Sequence, residues 1–315
     1  MKNHYSLIGK KGPRIDSFSK VTGKVRFSGD LKFPRMLVGK IKRSPLPHAR
    51  ILNIDTSKAE KMPGVKAVVT GKDTAGVKWG VFRYTQDMEL LPRDKVRYFG
   101  EEIAAVAAVD EETALEALEL IDLDLEELPA VFDPFEAMAS EGPLIHEGYP
   151  NNLNVHVEIN VGDIDKGFKE SFLIREDTFT APEDDYFQGE PYAVTARFDE
   201  DGNLEIWMPN AGPHMKSKPL SNLLQMPLNK VIVRKAAIGG AFGGRSEISP
   251  ADYICALLAK KSGRPVKLVY SREENSVNVR MGHALVTTIR TGVDRKGLPA
   301  QSVKQEYDAG CRRRV

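Results

Sequence analysis

Cysteine is the scarcest chemistry in this 315-residue chain, which holds only Cys255 and Cys311. Two thiols can build neither a disulfide framework nor a cysteine-based zinc or iron–sulfur site within the chain. Long apolar runs are also missing. The longest, Ile103 to Val109, is far short of the roughly 20 residues that a membrane-spanning helix needs. The polar start, Met1 to Ser6 and then Lys10-Lys11-Gly12-Pro13, lacks the apolar core of a secretory signal, so the expected location is the cytoplasm. Charge of one sign is absent too: 45 Lys and Arg face 44 Asp and Glu, a net charge of +1. That balance removes the electrostatic case for a nucleic-acid or anionic-membrane partner. The six histidines, His4, His48, His146, His156, His214 and His283, show no metal-ligand spacing. Any metal is therefore held by something other than a side-chain cluster.

What is present is ordinary for a globular protein, 41% hydrophobic and 28% charged. The length predicts about two domains with a normal core. Residues 1–18 read as a polar arm. Residues 19–130 mix strands and turns, with strands expected at 37–41 and 67–70 and another over 103–109. Asp110 offers an N-cap for a helix carrying Ala114, Leu115, Leu118 and Ile121, and alternation follows through 121–126. Strand, helix and strand in that order read as a βαβ-like unit in a mixed α/β domain. Residues 131–154, with Pro134, Pro143 and Pro150, read as a linker over the surface, and 155–315 as a second domain. There, strands are expected at 193–198, 204–207, 230–233, 266–270 and 284–290, and a helix over 250–261 stopped by Gly263. Residues 302–307 read as a further strand to which the Cys311-Arg312-Arg313-Arg314-Val315 ending gives no partner.

The most informative segment is Ile238-Gly239-Gly240-Ala241-Phe242-Gly243-Gly244-Arg245-Ser246-Glu247, between a strand and a helix. Four glycines around one Phe let the backbone take conformations closed to other residues and approach a ligand closely. Successive amides there would suit a phosphate or metal-oxo oxygen. It is neither a P-loop nor a G-x-G-x-x-G turn. The plainer alternative is a tight turn whose Phe242 plugs the core. Among the histidines, His214, in a loop after Pro213, is the best candidate for a polar contact. The runs Glu111-Glu112, Glu183-Asp184-Asp185 and Arg272-Glu273-Glu274 read as solvated faces.

Several blocks, in order, carry a resemblance that reaches from about residue 19 to 310. They are Val21 to Phe27, Arg43-Ser44-Pro45-Leu46-Pro47-His48-Ala49-Arg50-Ile51, Met62-Pro63-Gly64-Val65 and Val96-Arg97-Tyr98-Phe99-Gly100. Then come Glu127 to Val131, Glu190-Pro191, the glycine loop, Gly263-Arg264-Pro265-Val266 and Ser271-Arg272-Glu273-Glu274. With these the chain resembles the molybdenum-cofactor-binding subunit of the xanthine dehydrogenase/aldehyde oxidase family. The resemblance implies an α/β (α+β) fold, an α/β-hammerhead domain at 19–130 and an incomplete first molybdopterin-binding domain at 155–315. It implies that Gly239, Gly240, Ala241, Phe242, Gly243, Gly244 and Arg245 line the molybdenum–molybdopterin cofactor. The Phe242 backbone would meet an oxygen ligand of the metal, with Ser246 and Glu247 on the substrate side. The reaction implied is hydroxylation of an aldehyde, purine or other N-heterocycle, with electrons leaving to iron–sulfur and FAD partner subunits.

Departures from the family pattern are specific. Asp184 and Tyr186 replace a usual Gln and His before the Glu-Pro block, Ser246 stands at a position that is sometimes acidic, and Gly282 replaces an Arg. The resemblance places the catalytic Glu beyond Val315, so no catalytic residue is expected in this chain. Three readings follow: a subunit completed by a second molybdopterin-binding chain, a truncated inactive remnant, and a non-catalytic anion-binding module.

Overall fold

In the computed structural model, which describes residues 8–9, 11–12, 14–80, 86–139, 142–278 and 282–309, short strands and helices alternate along the chain. The N-terminal stretch forms α1 (Ser17–Val21), β1 (Leu37–Arg43), β2 (Ala49–Asp55), α2 (Ser57–Lys61) and β3 (Val65–Thr70). It continues with β4 (Lys95–Val96), β5 (Glu102–Ala108), α3 (Glu111–Glu119) and β6 (Asp122–Glu127). Then follow α4 (Pro134–Met138), α5 (Ile164–Glu170), β7 (Leu173–Ala181), β8 (Ala193–Phe198), β9 (Leu204–Met208) and α6 (Pro213–Leu224). Last come β10 (Val231–Lys235), α7 (Pro250–Ser262), β11 (Val266–Val269), α8 (Arg272–Asn278), β12 (Leu285–Val293) and β13 (Pro299–Ala309).

Seven strands form one sheet in the order β10-β9-β8-β11-β1-β5-β3, so strands from both halves of the sequence share it. The seam is a parallel pairing, with Leu37 opposite Val266 and Gly39 opposite Leu268. The alanine-rich β5 is buried along its whole length because both faces are covered. Ala105 and Ala107 join the large core that includes α7, while Ala104, Val106 and Ala108 pack with Ala114, Ala117 and Leu118 of α3. Period-two alternation thus assigns each small residue to one of two helices. The Asp110 side chain caps α3 by accepting from the Thr113 amide at 2.8 Å, and Gly263 ends α7 at φ +63°.

Three expectations are corrected. β5, α3 and β6 are not a βαβ unit: β5 pairs with β1 and β3, while β6 pairs antiparallel with β2 in a separate sheet, β4-β2-β6. The half-exposed alternation of β6 suits a small sheet that is covered on one face only. His214 lies in the first turn of α6, not in a loop, because Pro213 at the first helical position is compatible with helix entry. Residues 302–307 have a partner, since β13 pairs antiparallel with β12, Tyr307 opposite Thr287. Residues 131–154 include α4, and with Asp87, Arg97 and Tyr98 they line a cavity of about 220 Å³. Much of the expected N-terminal arm, and the ending from Cys311, lie outside the described residues. Among the described residues no helix is long and apolar enough to cross a membrane.

Candidate functional site

The glycine loop leaves the sheet after edge strand β10 and leads to α7. Its first glycine is locked to a second segment. The Gly239 amide donates to Glu190 Oε2 at 2.7 Å, and the Glu190 amide donates back to the Gly239 carbonyl at 3.2 Å. A Cβ on Gly239 would lie 2.5 Å from the Glu190 Cβ, so the close approach requires glycine. Gly240 (φ +116°) and Gly243 (φ +92°) take conformations that L side chains rarely adopt. Between them Phe242 is itself left-handed, at φ +45°, with 68% of its surface exposed. The alternative of Phe242 as a core plug is therefore wrong. The Gly244 amide closes a turn on the Ala241 carbonyl at 2.8 Å. Among the described residues, the amides of Gly240, Ala241, Phe242 and Gly243 donate to no protein group. A protruding loop with four such amides can receive an oxygen-rich, electronegative ligand.

Beneath the loop lies a buried polar cluster. Arg245 is completely buried, its Nη2 donates to the Glu190 carbonyl at 2.7 Å, and its guanidinium stacks on the Tyr192 ring at 4.6 Å. Its Nε and Nη1 have no hydrogen-bond partner. The Tyr192 hydroxyl donates to Asp252 Oδ1 at 2.7 Å, and Lys216 Nζ reaches that hydroxyl at 2.9 Å and Asp252 Oδ2 at 3.2 Å. Lys216 and Asp252 are both fully buried. Asp252 also accepts from the Ser249 amide at 3.0 Å, closing the capping box of α7. Burial pushes the Lys216 ammonium down, opposed by the nearby Asp252 carboxylate, and pushes the Tyr192 hydroxyl well up. Burial likewise raises Glu190, against the pull of the Gly239 amide and Arg245.

Gly239 to Gly244 run as one continuous loop above the buried Arg245, with Ser246 and Glu247 half-buried at its far end. Arg245 differs from its neighbours: it supports the loop from inside the protein. The unusual Asp184, Tyr186 and Gly282 flank the loop. Asp184 and Gly282 exchange backbone hydrogen bonds of 3.2 and 2.9 Å, and a Cβ on Gly243 would lie 3.7 Å from the Tyr186 ring. His214 is exposed and stands apart from the loop's contacts. In Arg272-Glu273-Glu274, Glu273 is exposed as expected, whereas its two neighbours are half-buried and paired. Arg272 clamps the segment before Glu190, donating to the Gln188 and Gly189 carbonyls at 2.8 and 2.9 Å, and Glu274 pairs with Arg43 at 3.4 Å. Glu111 and Glu112 are exposed as expected, and Glu111 pairs with Lys40 at 2.6 Å. Lys216, Tyr192 and Asp252 were not anticipated. The available signals were Lys216 at helical spacing from the buried Leu220, Leu223 and Leu224, and the Ser249-x-x-Asp252 box.

Comparison with known proteins points to one family. Residues 22–129 match the family model of the aldehyde oxidase and xanthine dehydrogenase a/b hammerhead domain, and residues 145–313 match the molybdopterin cofactor-binding domain. A probable xanthine dehydrogenase subunit of Bacillus subtilis is 38% identical over 300 residues, which are 95% of this chain and 40% of that protein. The nicotinate dehydrogenase large molybdopterin subunit of Eubacterium barkeri is 34% identical over 319 residues, covering 99% of this chain and 72% of that one. The aldehyde oxidoreductase structure from Desulfovibrio gigas superposes with a TM-score of 0.87 at 26% identity, over 94% of this chain and 34% of its own. The chain thus spans two fifths of the Bacillus relative and about a third of the aldehyde oxidoreductase.

Proposed function

Because the chain belongs to the xanthine dehydrogenase/aldehyde oxidase family, we propose that it builds one wall of a molybdenum–molybdopterin site in a hydroxylase acting on an aldehyde, purine or other N-heterocycle. The observation that carries this is Phe242, a non-glycine residue held left-handed and exposed between glycines, with unpaired amides on its loop. The fit to the cofactor is chemical: Gly240 to Gly243 offer backbone donors to an oxygen-rich group, while Arg245 places a buried positive charge beneath them. When bound, the cofactor supplies Lewis acidity and an acceptor for two electrons. This chain's residues position and exclude. Gly239 and Glu190 fix the loop's height, Phe242 covers the site from solvent, and Ser246 and Glu247 face the substrate side.

The proton-transfer base and the rest of the cofactor's cradle come from the part of the relatives' length that this chain does not match, in the same subunit or in a second molybdopterin-binding chain. Iron–sulfur and FAD subunits of a cytoplasmic complex would take the electrons onward. Cys255 cannot serve them, because it is buried and burial pushes its thiol far up. Metal analysis tests the proposal. The assembled enzyme should hold molybdenum stoichiometrically and lose most of it in Gly243→Val, while this chain purified alone should hold none in stoichiometric amount and show no hydroxylase activity. Full occupancy in the Gly243→Val enzyme would overturn the role of the loop.

A further inference from the structure

The segment entering the cofactor-binding domain has a pattern that the fold uses only at its start, where Leu153, Asn154 and Val155 line the cavity. From Leu153 to Val161 apolar and polar residues alternate: Leu153, Val155, Val157, Ile159 and Val161 against Asn154, His156, Glu158 and Asn160. Alternation of this length marks a strand with one face buried. Here that face is bare: Val157, Ile159 and Val161 are 71%, 79% and 77% exposed. The segment belongs to no strand or helix, and among the described residues no amide from Val155 to Gly162 donates to a backbone carbonyl. Unpaired backbone beside an apolar face is a template for strand addition.

We propose that residues 153–161 are a docking strand for the part of the molybdopterin-binding subunit that this chain does not match. This rests on the function proposed above. Two observations select that occupant. The matched relatives extend beyond this chain, which covers 40% and 34% of two of them and 72% of a third, so a further part of their fold is available to supply the pairing strand. Bare apolar surface also continues beyond the segment, with Phe172, Leu173 and Phe179 exposed near or on edge strand β7. The polar face of the segment has no Lys or Arg, so it lacks the chemistry for a lipid or nucleic-acid surface. Asn154 anchors the start of the strand, its Nδ2 donating to Asp87 at 3.2 Å.

Hydrogen–deuterium exchange over 153–162 tests this, comparing the chain alone with the assembled molybdenum enzyme. Assembly should slow the amides of this segment by at least about tenfold, the response of a strand gaining ladder hydrogen bonds. Val157→Pro removes one donor and Ile159→Lys charges the apolar face. Each should weaken assembly by about tenfold or more without moving the thermal unfolding of the isolated chain, where both side chains are bare. Equal exchange in the chain and in a demonstrably assembled enzyme would overturn the docking strand and leave the proposed function standing. Concentration-dependent protection in the chain by itself would assign the strand to a second copy and overturn the proposal. Failure of the chain to enter any molybdenum enzyme would remove the functional reading and this inference together.

Discussion

A phenylalanine at φ +45° with its ring in solvent has neither a favourable backbone nor a buried side chain to offset it. A left-handed non-glycine residue costs about 1–3 kcal/mol, and such strain gathers where function requires it. Phe242→Gly should therefore raise the stability of the chain by roughly 0.5–1 kcal/mol, after the greater freedom of glycine in the unfolded chain is counted. Urea unfolding would show this as a higher midpoint, and a lower midpoint would mean that the ring does structural packing. Gly239→Ala should act oppositely, because its Cβ would meet the Glu190 Cβ and force the paired segments apart. Lys216 makes a separate case. Its ammonium and the Asp252 carboxylate share a fully buried site, and Lys216→Met strands the carboxylate there. A loss of about 3–5 kcal/mol is expected, as for other broken buried pairs. Lys216→Met combined with Asp252→Asn should recover at least about 1 kcal/mol of it, because the stranded charge is gone while the cap acceptor to Ser249 remains. An additive double variant would show that the charge pair is not the cause.

At the scale of elements, the stretch around the cavity should respond to pH. His146 lines that cavity, and burial, helped by Arg97, Lys78 and Lys95, pushes its imidazole down to about 4. The unfolded chain takes up this proton near pH 6.5 while the folded chain resists it. His146 therefore costs nothing above pH 6.5 and destabilises progressively as pH falls from 6.5 toward 4, by about 2 kcal/mol at pH 5. His48, also lowered by burial, adds in the same direction. Urea unfolding at pH 7 and pH 5 should show the loss, and His146→Asn should remove most of its own share; an unchanged pH slope in that variant would count against the buried imidazole. Elements differ in how readily the sequence announces them. β5, α3 and α7 were legible because burial on two faces, an Asp cap and a glycine stop each leave a local mark. The partner of β6 was not, since alternation specifies a half-covered strand and says nothing about which sheet covers it. α6 was hidden because its core face begins with Lys216 and Pro219 interrupts its interior. The glycine loop was legible by composition, whereas its supports Glu190, Tyr192 and Arg272 are far from it in sequence and meet it only through the fold.

For the whole molecule, the decisive fact is that two segments matched by separate family models share one sheet. β1 is hydrogen-bonded to β11 on one side and β5 on the other, and the Ala105 and Ala107 face of β5 is covered by the core that contains α7. A polypeptide of residues 19–154 would expose the β1 edge and that apolar face at once. Both are liabilities for solubility and cooperative folding. Such a fragment should lack a sigmoidal thermal transition by circular dichroism and should aggregate, whereas the intact chain should unfold in one step that includes both segments. Gly39→Val should mimic the separation within the intact chain, because a side chain there meets Val266 at 3.2 Å and Leu268 at 3.4 Å across the seam. A fragment with its own cooperative transition, or a Gly39→Val chain as stable as the parent, would show that the hammerhead segment is an independent unit. The glycine loop would then be placed by its own domain alone. If the seam holds, a substitution beneath β5 can move a loop at the far edge of the sheet, since β3, β5, β1, β11, β8, β9 and β10 form one continuous hydrogen-bonded plate that ends where the loop begins.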